Sequence, residues 1–258
     1  MASRRRLDRE LVARGLAADL EQAREAIRSR RVVIDGAPGL AETTLVADSS
    51  HISISRARRF VSRGGDKLRG ALDDLCLDVT GMRCLDAGAG SGGFTDCLLQ
   101  AGAAHVTAVD VGYGQFDWSL RTSSRVDLME RTNVRALAGH AHRFDLIVAD
   151  LSFVTLRSMA RTLAALAGGC AICVLLVKPQ FEAAAGQVDP GGVVRDPGAW
   201  LQVLESVIEV LAGQGLGTVE VAPSRVKGAG GNQEFFLMAV PGHEVEARAA
   251  GRALEMLG

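Results

Sequence analysis

A chain of 258 residues, 48% of them hydrophobic, is long enough to bury a full α/β core with a small extra domain attached. No apolar run approaches the ~18 to 20 residues of a membrane span, and the opening stretch, Met1 to Glu10, holds no apolar segment of signal-peptide type, so a cytoplasmic protein is expected. The five scattered cysteines argue against a disulfide framework, and the net charge of −1 hides a basic N-terminal end: residues 1–69 carry 15 Lys and Arg against 9 Asp and Glu, and the remainder is acidic.

Residues 7–30 carry two helix patterns, Leu7/Leu11 and Leu20/Ala23/Ile27, joined around Arg14-Gly15-Leu16-Ala17. Val32-Val33-Ile34 then meets the turn signal Asp35-Gly36, and His51-Ile52-Ser53-Ile54 alternates as a strand. Two helices feeding a short sheet make a small α+β unit, expected over residues 1–55, whose positive charge suits an anionic partner or a solvated helix face. The order Arg6-Leu7-Asp8-x-x-Leu11-Val12-x-Arg14-Gly15-Leu16, then Ala23-x-x-Ala26-Ile27, then Val32-x-Ile34-x-Gly36, resembles the S4 RNA-binding domain. It departs at Asp19-Leu20, where that family usually has Ser-Arg, and at Ser29-Arg30-Arg31, which replaces the usual glycine turn. The resemblance implies RNA capture by Arg4, Arg5, Arg6, Arg14, Arg30 and Arg31 through phosphate contacts, which position without specifying sequence.

Residues 56–62 form a short basic linker. Ser62-Arg63-Gly64-Gly65-Asp66-Lys67-Leu68 then opens a helix with the apolar face Leu68, Leu72 and Leu75, capped by Ser62 or Asp66. Lys67 falls in the first turn, where the helix dipole disfavours a cation, which points to a task other than stability. From Arg83 onward strands are predicted at 82–87, 105–111, 126–130, 144–150, 170–178, 216–223 and 233–240, with helices at 93–102, 114–122, 155–167, 197–213 and 243–256. This alternation implies an α/β domain over residues 63–258, a mostly parallel sheet with helices on both faces. Cys170-x-x-Cys173 lies in a β-branched apolar run and reads as buried core. The histidines show no ligand spacing, His140-x-His142 reads as a solvated loop, and no metal is expected.

The rest of the chain is arranged around Arg83-Cys84-Leu85-Asp86-Ala87-Gly88-Ala89-Gly90-Ser91-Gly92-Gly93-Phe94-Thr95, a strand, a glycine loop and a helix start. The spacing fits two chemistries. Gly88-x-Gly90-x-x-Gly93 matches a dinucleotide fingerprint, and Asp86-x-Gly88-x-Gly90-x-Gly92 matches an S-adenosylmethionine loop. The carboxylate at the strand end tilts the choice, since it suits the methionyl ammonium of S-adenosylmethionine and would repel a pyrophosphate. Asp110, ending the next strand, is placed to hold ribose hydroxyls, a feature both ligands share.

Three more charged residues fall at equivalent places. Asp150 ends Phe144–Asp150, Lys178 ends Val174–Lys178 just before Pro179, and Glu234 begins the run that leads into Phe235-Phe236. Ligands of open parallel sheets bind outside the carboxyl ends of strands, so these side chains should face the site that Asp86 defines, Glu234 among them if the last strand is antiparallel. Lys67, Asp150, Lys178 and Glu234 in that order resemble the Lys-Asp-Lys-Glu tetrad of the FtsJ-like 2′-O-ribose RNA methyltransferases. With the S4-like head, the whole chain resembles the TlyA (haemolysin A-like) family of ribosomal RNA cytidine-2′-O-methyltransferases. The most specific pieces are Ser62-Arg63-Gly64-Gly65-x-Lys67-Leu68, Gly92-Gly93-Phe94-Thr95, Ala149-Asp150-Leu151-Ser152-Phe153, Val177-Lys178-Pro179-Gln180-Phe181-Glu182 and Gly231-Asn232-x-Glu234. Gly90-Ser91 replaces the usual Ser-Thr of that family and keeps small residues and a hydroxyl near the methionyl carboxylate.

The resemblance implies a Rossmann-like class I methyltransferase with a seven-stranded sheet, S-adenosylmethionine as cofactor and ribosomal RNA as partner. Cofactor contacts are expected from Asp86, Gly88, Gly90, Ser91, Gly92 and Phe94, from Asp110 at the ribose, and from Asn133 and Val134 at the adenine. Lys178 is assigned as the general base, neutral lysine being favoured by burial and by the positive charges of Lys67 and the sulfonium, with Asp150 and Glu234 orienting the two amines. Arg63 joins the RNA contacts, and Phe153 is placed to stack the target base or to sit in the core. A nicotinamide dehydrogenase fits Asp86 poorly and leaves both lysines idle. A DNA amino-methyltransferase would carry Asn or Asp-Pro-Pro-Tyr/Phe where Asp150-Leu151-Ser152-Phe153 stands, and direct membrane lysis lacks a spanning or strongly amphipathic basic segment. A non-catalytic RNA-binding or assembly protein would keep the same fold.

Overall fold

In a computed structural model of the protein, which describes residues 4–29, 31–54, 59–138 and 144–257, the change of sequence character near the basic linker is a structural boundary between residues 1–58 and 59–258. Arg30, linker residues 56–58, and His140 and His142 lie outside the described residues.

The first unit runs β1 (Arg4–Arg6), α1 (Leu7–Ala13), α2 (Leu20–Arg28), β2 (Val32–Ile34), β3 (Ala37–Pro38), β4 (Leu45–Ala47) and β5 (Ile52–Ile54). Leu7 and Leu11 of α1 and Ala23, Ala26 and Ile27 of α2 share a core with Val32, Val46 and Ile52. At helical spacing such residues form one stripe, and that stripe is what the short strands cover. Asp19 caps α2, its carboxylate accepting from the Gln22 amide at 2.8 Å. Aspartate in place of serine therefore keeps a capping oxygen, worth ~1 kcal/mol. Asp35 and Gly36 both have positive φ (49° and 84°), the geometry of a two-residue hairpin turn. The order β3-β2-β5 is antiparallel, while β1 pairs with β4; those two strands are too short to announce a period of two.

The second unit continues with α3 (Arg63–Asp74), β6 (Arg83–Ala87), α4 (Gly93–Gln100), β7 (His105–Val109), α5 (Trp118–Arg121), β8 (Val126–Met129), β9 (Leu146–Ala149), α6 (Leu156–Ala167), β10 (Ile172–Val177), α7 (Pro179–Glu182), α8 (Pro197–Ala212), β11 (Leu216–Pro223), β12 (Phe235–Pro241) and α9 (Ala249–Glu255). Its described residues form a seven-stranded sheet in the order β11-β12-β10-β9-β6-β7-β8. Strands β8, β7, β6, β9 and β10 are parallel neighbours, and β12 runs antiparallel to both β10 and β11. The alternation of side chains across a strand sorts the core into two layers. Leu85, Ile147, Ala149, Cys173, Leu175 and Val177 face the layer that includes α6, α8 and α9. Cys84, Val106, Leu146, Val148, Val174 and Leu176 face the layer that includes α3 and α4.

Several predicted elements shrink for local reasons. The 114–122 helix keeps only its end, because Gly114 has φ 75° and Asp117 caps a late start at the Ser119 amide. The C-terminal helix starts at Ala249, well after Gly242 at φ 71°. Gly168 and Gly169, both at positive φ, delay β10, so Cys170 is exposed, contrary to the buried-core expectation, while Cys173 is buried and its thiol pushed up to about 12 by burial. Among the described residues no helix is long and apolar enough to cross a membrane.

Candidate active site

The strand order reverses between β6 and β9, which is where an open α/β sheet leaves a crevice at its carboxyl edge. From Ala87 the chain turns through Gly88, Gly90 and Gly92, all at positive φ, into α4. A Cβ on Gly88 would lie 2.5 Å from the Asp150 carbonyl, so only glycine lets the loop close against the end of β9. A Cβ on Gly90 would meet nothing within 4 Å, which leaves bare backbone facing open space.

Two carboxylates bracket that loop. Asp86 is fully buried; Oδ2 accepts the Thr95 hydroxyl at 2.7 Å, and Oδ1 has no hydrogen-bond partner. Burial pushes its carboxyl up to about 7, against the Thr95 bond, with Asp150 and Asp110 adding to the rise. Asp110 accepts the Gly90 amide at 2.8 Å and the Gly112 amide at 2.6 Å, so it pins the glycine loop to the segment after β7 and keeps further lone pairs. A buried acceptor lacking a donor, an uncovered loop and a second strand-end carboxylate fit a ligand with an ammonium and a ribose. Ser91, half-buried, stands in the loop, and Asn133 is exposed after β8, capping a turn at the Arg135 amide. Phe94 and Val134 bury their side chains, which leaves their backbone as what could meet a cofactor. Phe94 is buried with its ring 6.0 Å from Phe236, and Val134 belongs to the opposite core layer.

The antiparallel course of β12 puts Glu234 at the carboxyl edge of β9 and β10, beside Asp150 and Lys178. Ser62 caps α3 at the Gly64 amide, and one turn later Lys67 reaches Glu234 Oε2 at 2.5 Å, both groups buried. Glu234 Oε1 accepts from the Gln180 amide nitrogen at 3.3 Å. Lys178 Nζ lies 2.6 Å from Asp150 Oδ1 and donates to Ser152 Oγ at 2.9 Å. The tetrad is thus two lysine–carboxylate pairs on one sheet edge. Phe153 has φ 65° and is 91% exposed; its ring is 5.8 Å from that of Phe181, over which Lys178 Nζ sits at 5.7 Å. Such an angle is rare for a bulky residue and favours a task outside the core. Gln180, Ser152, Phe181 and Thr95 carried no individual expectation; they lie within the motifs around Asp86, Asp150 and Lys178, and proximity along the chain was the only available signal.

The predicted RNA contacts differ in what already holds them. Arg14 is committed to the fold, with its guanidinium on Glu10 and on the carbonyls of Ala47, Asp48 and Ser50. Arg6 makes a two-pronged pair with buried Asp8, while Arg4 and Arg5 are exposed on β1, Arg5 3.6 Å from Glu10. Arg31 donates to Ser29 Oγ, and exposed Arg63 begins α3 with a 3.5 Å bond to the Lys227 carbonyl. Among the described residues no cluster of His, Cys, Asp or Glu is disposed to hold a metal.

Residues 60–240 match the model of the FtsJ-like methyltransferases. The chain is 48% identical over 241 residues to the 16S/23S rRNA (cytidine-2′-O)-methyltransferase TlyA of Mycobacterium tuberculosis, covering 92% of this chain and 90% of that protein. It is 33% identical to Hemolysin A of Brachyspira hyodysenteriae, over 90% of this chain and 98% of that one. A solved structure of a hemolysin-type protein from Streptococcus thermophilus superposes with a TM-score of 0.72 at 31% identity, covering 100% of this chain and 98% of the other.

Proposed function

Because the chain belongs to the FtsJ-like methyltransferases, in their TlyA (haemolysin A-like) branch, we propose that it transfers a methyl group from S-adenosylmethionine to the ribose 2′-hydroxyl of a cytidine in ribosomal RNA. The observation that carries this reading is the pairing of Lys178 with Asp150 and of Lys67 with Glu234 on one sheet edge, next to the open glycine loop. When bound, S-adenosylmethionine supplies an electrophilic methyl, and the electron pair of the broken carbon–sulfur bond stays on sulfur. Asp86 would hold the methionyl ammonium through Oδ1, the backbone of Gly88, Gly90 and Gly92 with Ser91 would receive the rest of that end, Asp110 would take ribose hydroxyls, and Asn133 would border the adenine.

A ribose hydroxyl is a poor nucleophile, so its proton must leave as the oxygen–carbon bond forms. Lys178 Nζ takes that proton. Asp150 keeps the amine at the strand end, and Glu234 holds Lys67 as a fixed positive charge beside it. Phe153, turned outward by its backbone, stacks the target base. The S4-like unit captures RNA phosphates through Arg4, Arg5 and Arg31, with Arg6 held ready on Asp8 and Arg63 contributing from α3. Such chemistry belongs in the cytoplasm, where ribosomal RNA is found.

Calorimetry should detect binding of S-adenosylmethionine or its demethylated product, lost in Asp86→Ala. Mass mapping of ribose methylation in ribosomal RNA with and without the protein should then locate one or more added methyl groups on cytidine. Saturable binding of a nicotinamide cofactor instead, or identical methylation maps, would overturn the reading.

A further inference from the structure

The Lys178 amine has two polar neighbours of different character. Asp150 Oδ1 is close, at 2.6 Å, but lies off the line of a hydrogen bond and has no donor aimed at it. It therefore supplies charge, and a Coulomb attraction at that range hardly depends on how the amine is rotated about its last carbon. Ser152 Oγ, at 2.9 Å, does meet hydrogen-bond geometry and accepts from Nζ. Among the described residues, it makes the directional bond to this amine. Phe181 closes a further side, its ring centroid 5.7 Å from Nζ, and a ring face offers no lone pair to compete for a proton.

Rotation matters to this reaction. An amine that accepts a proton has two N–H bonds and one lone pair, and transfer needs the lone pair along the line to the acceptor hydroxyl. A primary amine on a four-carbon stem is otherwise free to present an N–H there. We propose that Ser152 is a positioning residue for methyl transfer, its hydroxyl oxygen taking one N–H of Lys178 so that the amine's free position points at the ribose 2′-hydroxyl. The inference rests on the assignment of Lys178 as the base. It divides the work: Asp150 holds the amine in place, and Ser152 sets its direction. The Ser152 side chain is itself exposed, next to the outward-turned Phe153, so its bond to Lys178 contributes little to folding and its loss should be felt in the chemistry.

The test compares wild type, Ser152→Ala and Ser152→Thr in single-turnover methyl transfer to ribosomal RNA across pH, with cofactor and RNA affinities measured alongside. Ser152→Ala should lower the transfer rate roughly five- to tenfold, the scale of one lost hydrogen bond, with both affinities and the thermal midpoint unchanged. Its rate should stay below that of wild type across the whole pH range. Ser152→Thr, which keeps a hydroxyl at the same position, should restore most of the rate. A wild-type rate and pH profile in Ser152→Ala would overturn the role of Ser152 while leaving the methyltransferase reading intact. No transfer by wild type under any condition would overturn both.

Discussion

The two lysine–carboxylate pairs sit on the same sheet edge and use the same residue types, yet they are built differently. In the pair Lys67–Glu234, both side chains are buried and each carboxylate oxygen has its own donor, Lys67 on one and Gln180 on the other. In the pair Lys178–Asp150, the carboxylate is a quarter exposed, its contact is off the hydrogen-bond line, and the amine turns to a serine on the surface. A closed pair has one arrangement and costs much to disturb. An open pair has room to change geometry during a reaction, which is the ground for proposing Lys178 as the base and Lys67 as the fixed charge.

The sharpest way to break that comparison is Lys178→Arg. Arginine keeps the charge and the reach but stays protonated, so transfer should fall by roughly 10² to 10⁴, the range of a lost general base. Cofactor and RNA binding should remain within a few-fold, and Lys67→Arg should be milder, because a fixed charge survives the exchange. Single-turnover transfer with labelled methyl measures all of these. Near-normal transfer by Lys178→Arg, with a rate indifferent to pH, would mean that the proton leaves to solvent.

Stability should rank the pairs in the opposite order. Glu234→Gln leaves the Lys67 ammonium buried without its counter-charge, which typically costs about 3 to 5 kcal/mol. Asp150→Asn should cost less, because the Asp150 side chain is a quarter exposed and water can reach the equally buried Lys178 amine from that side, while impairing transfer. Denaturant unfolding of the two variants at pH 7 decides this, and equal losses would erase the distinction between them.

Most of this edge could be read along the chain because parallel strands buried on both faces are continuous apolar runs. The charges that end them, Asp86, Asp110, Asp150 and Lys178, stand out against Val, Leu and Ile. Glu234 was legible only on the condition that β12 is antiparallel, which pairing with β10 fulfils. Side-chain partnership was not legible. Nothing in the spacing says that Lys67 takes Glu234, that Lys178 turns to Ser152, or that Arg14 is held by backbone carbonyls, since each depends on rotamers and on loops meeting in space. The packing of the Gly-Gly-Phe-Thr run was equally hidden: a Cβ on Gly92 would meet Leu120 and Phe116 and one on Gly93 would meet Ser62, while the Phe94 side chain turns with the helix into the core.

Asp86 extends the comparison to a buried carboxylate that has no lysine at all. Burial pushes its carboxyl to about 7, opposed by Thr95 and reinforced by Asp150 and Asp110. The folded value lies above the unfolded one of about 4, so between those pH values the native state holds a proton that the unfolded chain has released. Its contribution to stability is present at low pH and is lost as pH rises through about 7. Asp86→Asn removes that slope, so the variant should gain about 2 to 3 kcal/mol relative to wild type between pH 5 and pH 8. Ligand binding should run the other way. An ammonium opposite Oδ1 needs the ionised carboxylate, so the affinity for S-adenosylmethionine should rise roughly tenfold from pH 6 to pH 8 and then level off. Calorimetry across that range should also show protons released on binding below pH 7. An affinity that is flat with pH, together with no proton release, would mean that Asp86 is already ionised in the free protein and that something other than a ligand cation compensates it.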